Sequence, residues 1–487
     1  MKKLNTILYN VSLKAVSGST DVSFNNLHFD SRMVEVNDAF VAVKGTHVDG
    51  HSYIQKAIDK GTNVIVCEVL PETLKESVTY VEVKNSARAL SIMACNYYDN
   101  PSQKLKLVGV TGTNGKTTVA TLLYNLFSQM GYKSALLSTI ENRIGDKVLK
   151  ATHTTGDALQ LNKNLNEMVE QGCTHCFMEV SSHALDQDRV AGVAFVGGLF
   201  TNITHDHLDY HKTFDAYIAA KKKLFDELPK SAFALVNVDD KRGRIMLQNT
   251  KATKSTYSLK SASEFIGKII SNSLQGLEMS IDNHAIWFKL FGAFNAYNLL
   301  VAYGTAILLG EQPEDVLTVL SNVNPVPGRM EVVPNPMHVT ALVDYAHTPD
   351  ALKNVLDTIG SLRTGNESVI TVVGCGGDRD KEKRPLMGAI ASQLSDKVIF
   401  TSDNPRSEDP NVIIEEMKAG VGASNKRKVV ALVNREEAIK TACLLAAAND
   451  IILVAGKGHE DYQEIKGQRL PFDDRKVLSQ MLNLMES

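Results

Sequence analysis

The chain has 487 residues, room for about three domains. At 44% hydrophobic and 22% charged residues it reads as an ordinary globular chain rather than a disordered one. A formal net charge of −3 gives no electrostatic pull towards nucleic acid or an anionic membrane.

Met1-Lys2-Lys3-Leu4-Asn5 lacks the apolar core of a signal peptide, and runs such as Val193 to Phe200 are too short and glycine-broken to span a bilayer. Six scattered cysteines suggest reduced thiols in a cytoplasm. Cys173-Thr174-His175-Cys176 has no second Cys/His pair at zinc spacing and is read as structural.

Residues 1–103 mix short strands with a helix near Tyr53 to Lys60 and end at Asn100-Pro101-Ser102. From residue 104 to 328, short apolar runs alternate with helical patterns. The runs are Leu105–Val110, Ala135–Ser138, Cys176–Val180, Gly198–Ile203 and Phe233–Val238, which predicts a mostly parallel sheet. Lys251 to Leu290 alternates in polarity and reads as a small antiparallel patch.

Asn324-Pro325-Val326-Pro327-Gly328 is a linker signal. Residues 329–487 resume the strand–helix alternation and predict a doubly wound, Rossmann-like domain. Gly374-Cys375-Gly376-Gly377 has the wrong spacing for a dinucleotide fingerprint, so NAD is not expected.

The densest chemistry lies in Gly112-Thr113-Asn114-Gly115-Lys116-Thr117-Thr118, between a strand and a helix. Backbone N–H groups and a helix N-terminus suit phosphate, Lys116 adds a cation, and the Thr117 hydroxyl can ligate Mg²⁺. The first glycine of the common loop would fall on Val110, so the match is a variant. ATP or GTP binding is expected.

Glu179, and Asp206-His207 within the segment Thr201 to His211, follow strands, where open α/β sheets bind ligands. His205, His207 and His211, with two aspartates, suggest a metal or phosphate role, with a surface loop as the alternative for each histidine. Lys221-Lys222-Lys223 reads by composition as a solvated basic face. Asp403-Asn404-Pro405-Arg406 is either a plain turn or a guanidinium fork offered to a carboxylate, and Gly456 to Glu460 is equally open.

Together these segments resemble the Mur ligase family along essentially the whole chain. The motifs, in order, are Asp30-Ser31-Arg32, Gly112–Thr118, Thr154-Thr155, Glu179–His183, Asp206–Asp209, Gly292–Asn298, Pro327–Glu331, Asp344–Asp350, Gly374–Arg384, Asp403–Arg406 and Gly456–Glu460. The resemblance implies three α/β domains: residues 1–103 for a UDP substrate, 104–328 for ATP, and 329–487 for an amino acid.

It places Ser31, Thr46, His47 and Val48 near the UDP group, and Thr154, Thr155, Ser181, Gln187 and Arg189 on the muramoyl dipeptide. Gly112 to Thr118, with Asn295 and Asn298, would meet ATP. Thr117, Glu179, His207 and a carbamylated Lys221 would hold Mg²⁺; carbamylation turns a repelling ammonium into an anionic ligand. Lys116, Glu179, His207, Lys221, Arg329 and Asp344 form the implied catalytic set. Closure of the last domain would exclude water.

The implied reaction is ATP-driven amide formation through an acyl phosphate on a D-glutamyl γ-carboxylate, in cytoplasmic peptidoglycan precursor synthesis. The D-N-P-R pattern marks members that use meso-diaminopimelate rather than lysine, with Arg379, Asp403, Asn404, Pro405, Arg406, Gly456 and Glu460 as its contacts. A monomer is expected, and, as the net charge suggests, no nucleic-acid or membrane partner. Lysine ligation, a folylpolyglutamate-synthetase-like ligase and a nucleotide switch are the competing readings.

Overall fold

The computed structural model describes residues 1–45, 48–145, 147–150 and 154–485. They form two compact units. One comprises residues 1–112, 123–201 and 215–256, and the other 113–122, 202–214 and 257–487.

The first unit carries two main sheets, beside a short antiparallel pairing of Lys2–Lys3 with Ser23–Phe24. Near the amino terminus, Leu27–His28, Ala39–Val41, Val64–Cys67 and Thr79–Val83 pair in parallel, and Leu13–Ser17 closes the edge antiparallel. In the second sheet Ser134–Leu137, His175–Glu179, Lys106–Thr111, Gly197–Phe200 and Phe233–Asn237 run parallel in that spatial order. Their near-continuous apolar sequences fit strands covered on both faces.

The parallel register aligns the C-terminal ends. Glu179 lies beside Val110, and Phe200 beside Thr111. Glu141–Ile144 and Lys147–Lys150 extend this sheet as an antiparallel hairpin. The expected strands fall within a few residues of their predicted bounds; the hairpin was not foreseen.

In the second unit the expected antiparallel patch is Phe265–Ser273, Gly276–Ile281 and His284–Phe288. Thr253–Ser258, read as part of that patch, instead joins Phe265–Ser273 in parallel through Tyr257 and Ser258. The helices Ala293–Leu308 and Pro313–Asn322 pack against the patch.

The last sheet is doubly wound. Its parallel strands lie in the order Thr340–Asp344, Ile451–Ala455, Val369–Val373, Lys397–Phe400 and Val429–Ala431, with Glu331–Val333 antiparallel at one edge. Alternation splits the strand Val369–Val373 between two cores. Val369 and Val373 meet the helices Pro349–Leu362, Lys383–Leu394 and Pro410–Ala419, while Ile370 and Val372 meet Arg435–Leu445 and Asp474–Leu484.

The insertion of Ile451–Ala455 between two earlier strands decides the site. It sets the turns after Asp344, Ala455, Val373 and Phe400 side by side at one sheet edge. The hairpin Tyr462–Ile465 and Gln468–Pro471 follows directly, and was not expected from sequence.

Candidate active site

In the first unit, Glu179 ends its strand with a carboxylate that is 1% exposed. Thr139 holds both oxygens, through its N–H at 2.7 Å and its hydroxyl at 3.2 Å. Beside it, the Thr155 hydroxyl donates to the Glu179 carbonyl at 2.9 Å and accepts the Ser181 N–H at 3.1 Å. Arg189 donates to the Thr155 carbonyl at 3.0 Å and grips the Gln187 side-chain oxygen through Nε and Nη2. The Thr154 hydroxyl lies in hydrogen-bond contact with that of Thr139 at 3.1 Å. The expected dipeptide residues Thr154, Thr155, Ser181, Gln187 and Arg189 therefore form one connected group around Glu179.

Lys221 overturns the compositional reading of its tribasic run. It lies on the helix Phe214–Asp226 at 1% exposure, and its ammonium donates to the Gly112 carbonyl at 2.7 Å. The Tyr217 ring centroid is 4.6 Å from Nζ. Lys222 is largely covered as well, at 12% side-chain exposure and paired to Asp226 at 2.5 Å, so of the run only Lys223, at 40%, approaches the solvated face expected.

Elsewhere in this unit, Arg32 forks onto Asp30 and holds its carboxyl at about 2. Ser31 between them is buried and Val48 is exposed. Thr46 and His47 lie outside the described residues.

In the second unit, the phosphate-type loop continues from Thr113. Gly115 has φ +88°, a left-handed conformation that glycine adopts without Cβ strain, just before the helix Lys116–Gln129. Lys116 folds back onto the Thr113 carbonyl at 2.9 Å. Asn202 clasps the backbone of Asn114, and the Asp350 carboxylate accepts from Asn114 Nδ2 and Thr204 Oγ1, both at 2.9 Å. Asn202, Thr204 and Asp350 carried no predicted role; the cue for Asp350 was its place at a Pro-initiated helix start.

Arg329 reaches Thr117 Oγ1 at 3.2 Å and stacks over Tyr345 at 4.6 Å. Asp344 is buried and accepts the N–H groups of Met330 and Ala346 at 2.7 and 2.8 Å. Burial raises its carboxyl, against the opposing pull of Arg329. Asn295 and Asn298 are buried and bonded to each other at the start of their helix.

The expected histidine cluster does not form as a metal centre. Among the described residues no group of three or more His, Cys, Asp or Glu side chains could hold a metal ion. The rings are engaged separately. His205 stacks on Phe214 at 4.6 Å, His211 is buried edge-on to Tyr210, and His207 faces Asp206 at 3.5 Å. The donor chemistry tests Mg²⁺ more sharply. Glu179 offers the hard anionic oxygen that ion prefers, whereas Lys221 suits it only as a carbamate.

At the last sheet's edge, Asp403, Asn404 and Arg406 sit between two neighbouring turns. Gly377 donates to the Asn404 carbonyl at 2.9 Å, and Arg406 Nη1 donates to the Gly377 carbonyl at 2.8 Å. A Cβ on Gly377 would stand 2.0 Å from the Pro405 carbonyl oxygen, and one on Gly456 2.6 Å from the Asp403 carboxylate. Asn404 Nδ2 meets Glu460 at 2.8 Å. The fully buried Lys457 bonds Glu460 at 3.0 Å and Asn404 Oδ1 at 3.2 Å.

Arg406 is 21% exposed at its side chain, so its guanidinium is only partly buried. Arg379 is exposed and lines a recess with Asp378, Asp380, Lys381 and Glu408. Beneath it the buried Arg384 grips Glu408 through two nitrogens at 2.8 and 3.0 Å. Lys457 and Arg384 were missed because a lysine or arginine in a polar stretch reads as solvent-facing.

The sequence comparisons match this layout in order. The Mur ligase family, catalytic domain, matches residues 23–98, the Mur ligase middle domain 110–306, and the Mur ligase, glutamate ligase domain 328–458. A UDP-N-acetylmuramoyl-L-alanyl-D-glutamate–2,6-diaminopimelate ligase from Cytophaga hutchinsonii is 58% identical over 484 residues, 99% of each chain. The chain belongs to the Mur ligase family. The Phocaeicola vulgatus protein of the same name is 53% identical over 98% of each chain. A solved structure of a ligase with that name superposes with a TM-score of 0.67 at 34% identity, covering 95% of this chain and 96% of the other. The three-domain α/β architecture expected from the resemblance is thus the family's own.

Proposed function

We propose that this chain is an ATP-dependent ligase that joins meso-2,6-diaminopimelate to the D-glutamyl γ-carboxylate of a UDP-N-acetylmuramoyl dipeptide. The observation that carries the reading is full-length identity of 58% to a diaminopimelate-adding Mur ligase, with the guanidinium of Arg406 presented beside Asn404. Residues 1–103, 104–328 and 329–487 serve as the UDP-substrate, ATP and amino-acid domains. Six buried free thiols suit a reducing compartment, and we assign the reaction to the cytoplasm.

A carboxylate is a poor electrophile, so the γ-phosphoryl group of ATP first moves to it and gives an acyl phosphate. The diaminopimelate amine then attacks that carbonyl, and phosphate leaves from the tetrahedral intermediate. Backbone N–H groups of residues 112–118 and the helix starting at Lys116 suit the ATP phosphates. Lys116 swings from the Thr113 carbonyl to the transferring phosphoryl group, and Arg329 and Asp344 serve the nucleotide. Thr155, Ser181, Gln187 and Arg189 hold the dipeptide against Glu179.

Thr117, Glu179, His207 and carbamylated Lys221 are the residues that would hold Mg²⁺. When bound, that ion supplies charge that offsets the repulsion between the meeting anions. Arg406 receives the distal carboxylate of diaminopimelate, the one group lysine lacks. Asn404, Glu460, Gly456 and Arg379 complete the pocket.

Phosphate release with Mg²⁺-ATP and the UDP-dipeptide, with diaminopimelate, lysine or neither, tests this. Release that depends on diaminopimelate, with the matching product mass, is expected. Equal release with lysine overturns the role of Arg406, and release indifferent to every amino acid overturns the ligase reading.

A further inference from the structure

Glu464 stands opposite Arg406 on the hairpin that follows the last sheet. Its Oε2 lies 3.7 Å from Arg406 Nε, and the two side chains are 25% and 21% exposed. Two backbone bonds fix this pairing, and the Asn404 side chain adds a third. Arg406 N–H donates to the Glu464 carbonyl at 3.0 Å, Lys466 N–H to the Arg406 carbonyl at 2.7 Å, and Glu464 N–H to Asn404 Oδ1 at 2.8 Å.

The two acidic groups of the pocket differ in what they have left to offer. Glu460 Oε2 already receives Lys457 Nζ and Asn404 Nδ2, so its charge is offset by a buried ammonium. Among the described residues the Glu464 carboxylate makes no hydrogen bond; it has only the long approach to Arg406. A partly exposed anion and a partly exposed cation therefore stand side by side on one backbone-paired turn and strand.

That pattern is complementary to a zwitterion. The distal carbon of meso-diaminopimelate carries both a carboxylate and an ammonium, and this argument rests on the ligase reading above. We propose that Glu464 is a specificity residue that receives the distal ammonium while Arg406 receives the distal carboxylate. The pair reads the distal carbon as an amino acid, and so discriminates against lysine through Arg406 and against 2-aminopimelate, which lacks the ammonium, through Glu464.

Glu464→Gln keeps the size and the backbone pairing but removes the charge. The expected result is a diaminopimelate KM raised about tenfold, the loss of one charge-assisted hydrogen bond. The KM for 2-aminopimelate, ATP and the UDP-dipeptide stays unchanged, and Glu464→Asp restores part of the preference. A residue that merely braced Arg406 would weaken diaminopimelate and 2-aminopimelate equally, and that result overturns the proposal. So does an unchanged diaminopimelate KM in a variant with wild-type melting temperature. If the unsubstituted chain turns over no amino acid at all, the ligase reading falls and this one with it.

Discussion

The side-chain amide of Asn202 clasps the backbone of Asn114 at two points, accepting its N–H at 3.0 Å and donating to its carbonyl at 3.1 Å. A side-chain amide carries its donor and its acceptor on separate atoms, as a peptide group does, so it acts like a neighbouring strand for a single residue. The tip of the phosphate-type loop is thereby held open for an anion. Asn202→Ala removes two hydrogen bonds, and the expected outcome is an ATP KM raised about tenfold. Steady-state kinetics at saturating UDP-dipeptide and amino acid check it, and an unchanged ATP KM removes the clasp from the nucleotide site.

Lys221 presents a second case of a polar group turned inward. Its ammonium is buried against the Gly112 carbonyl, where a charge is costly to desolvate and a carbamate would carry the opposite sign. Lys221→Ala should lower kcat at least a hundredfold, the scale of losing one electrostatic contributor. Added short carboxylates such as acetate should restore part of the rate by replacing the anion. Full activity of the alanine variant without additive would remove the carbamate from the mechanism.

Arg406 predicts selectivity. Replacing it by alanine leaves the distal carboxylate without its partner, a loss of about 2–3 kcal/mol in binding. The diaminopimelate KM should rise about thirtyfold or more, while lysine remains poor because no new site for it is created. An unchanged diaminopimelate KM would sink the assignment.

Arg435 and Asp474 form a fully buried bidentate pair, both 2.7 Å bonds, below the strand ends that carry the amino-acid pocket. Arg435 also donates to the Ala455 carbonyl at 3.0 Å. Arg435→Met leaves a buried carboxylate unpaired and should cost about 3–5 kcal/mol in denaturant unfolding. The double variant with Asp474→Leu should recover most of that loss. If the double variant is no more stable than the single one, the pair is not the source of the cost.

His175 sets an acid limit. It is packed against Phe127 and Tyr132, and burial lowers its pKa from an ordinary 6.5 to about 4. The unfolded chain takes up this proton first as pH falls. The contribution to stability is complete above about 6.5 and is lost between 6.5 and 4, at no more than about 1.4 kcal/mol per pH unit. His175→Phe should flatten that part of the pH–stability profile measured by urea unfolding. A profile of unchanged slope would assign the acid sensitivity elsewhere.

Much of the fold was legible because its signals are local. An apolar run followed by glycine and a Lys-Thr helix start appears in the structure as Lys106–Thr111, the loop and Lys116–Gln129. Pro349 and Pro410 begin helices as their fixed φ requires. The hairpin at Tyr462–Ile465 was missed because Glu464 to Gly467 lacks the usual turn pair, although Lys466 and Gly467 both adopt left-handed φ. The histidine run is less legible, since no group of three or more metal-type side chains forms among the described residues. Proximity in sequence suggested a shared centre, whereas His205 stacks on Phe214 and His211 meets the edge of Tyr210.

By itself the sequence determined the element types, the phosphate-type loop and the residue chemistry available at each strand end, since these follow from periodicity and neighbours along the chain. Only the tertiary structure decided that Lys221 is buried, that Lys457 neutralises Glu460, and that Glu464 faces Arg406. Those relations depend on strand order. Inserting Ile451–Ala455 between Thr340–Asp344 and Val369–Val373 brings together turns that lie far apart in the chain, and no local pattern encodes which strand takes the central place.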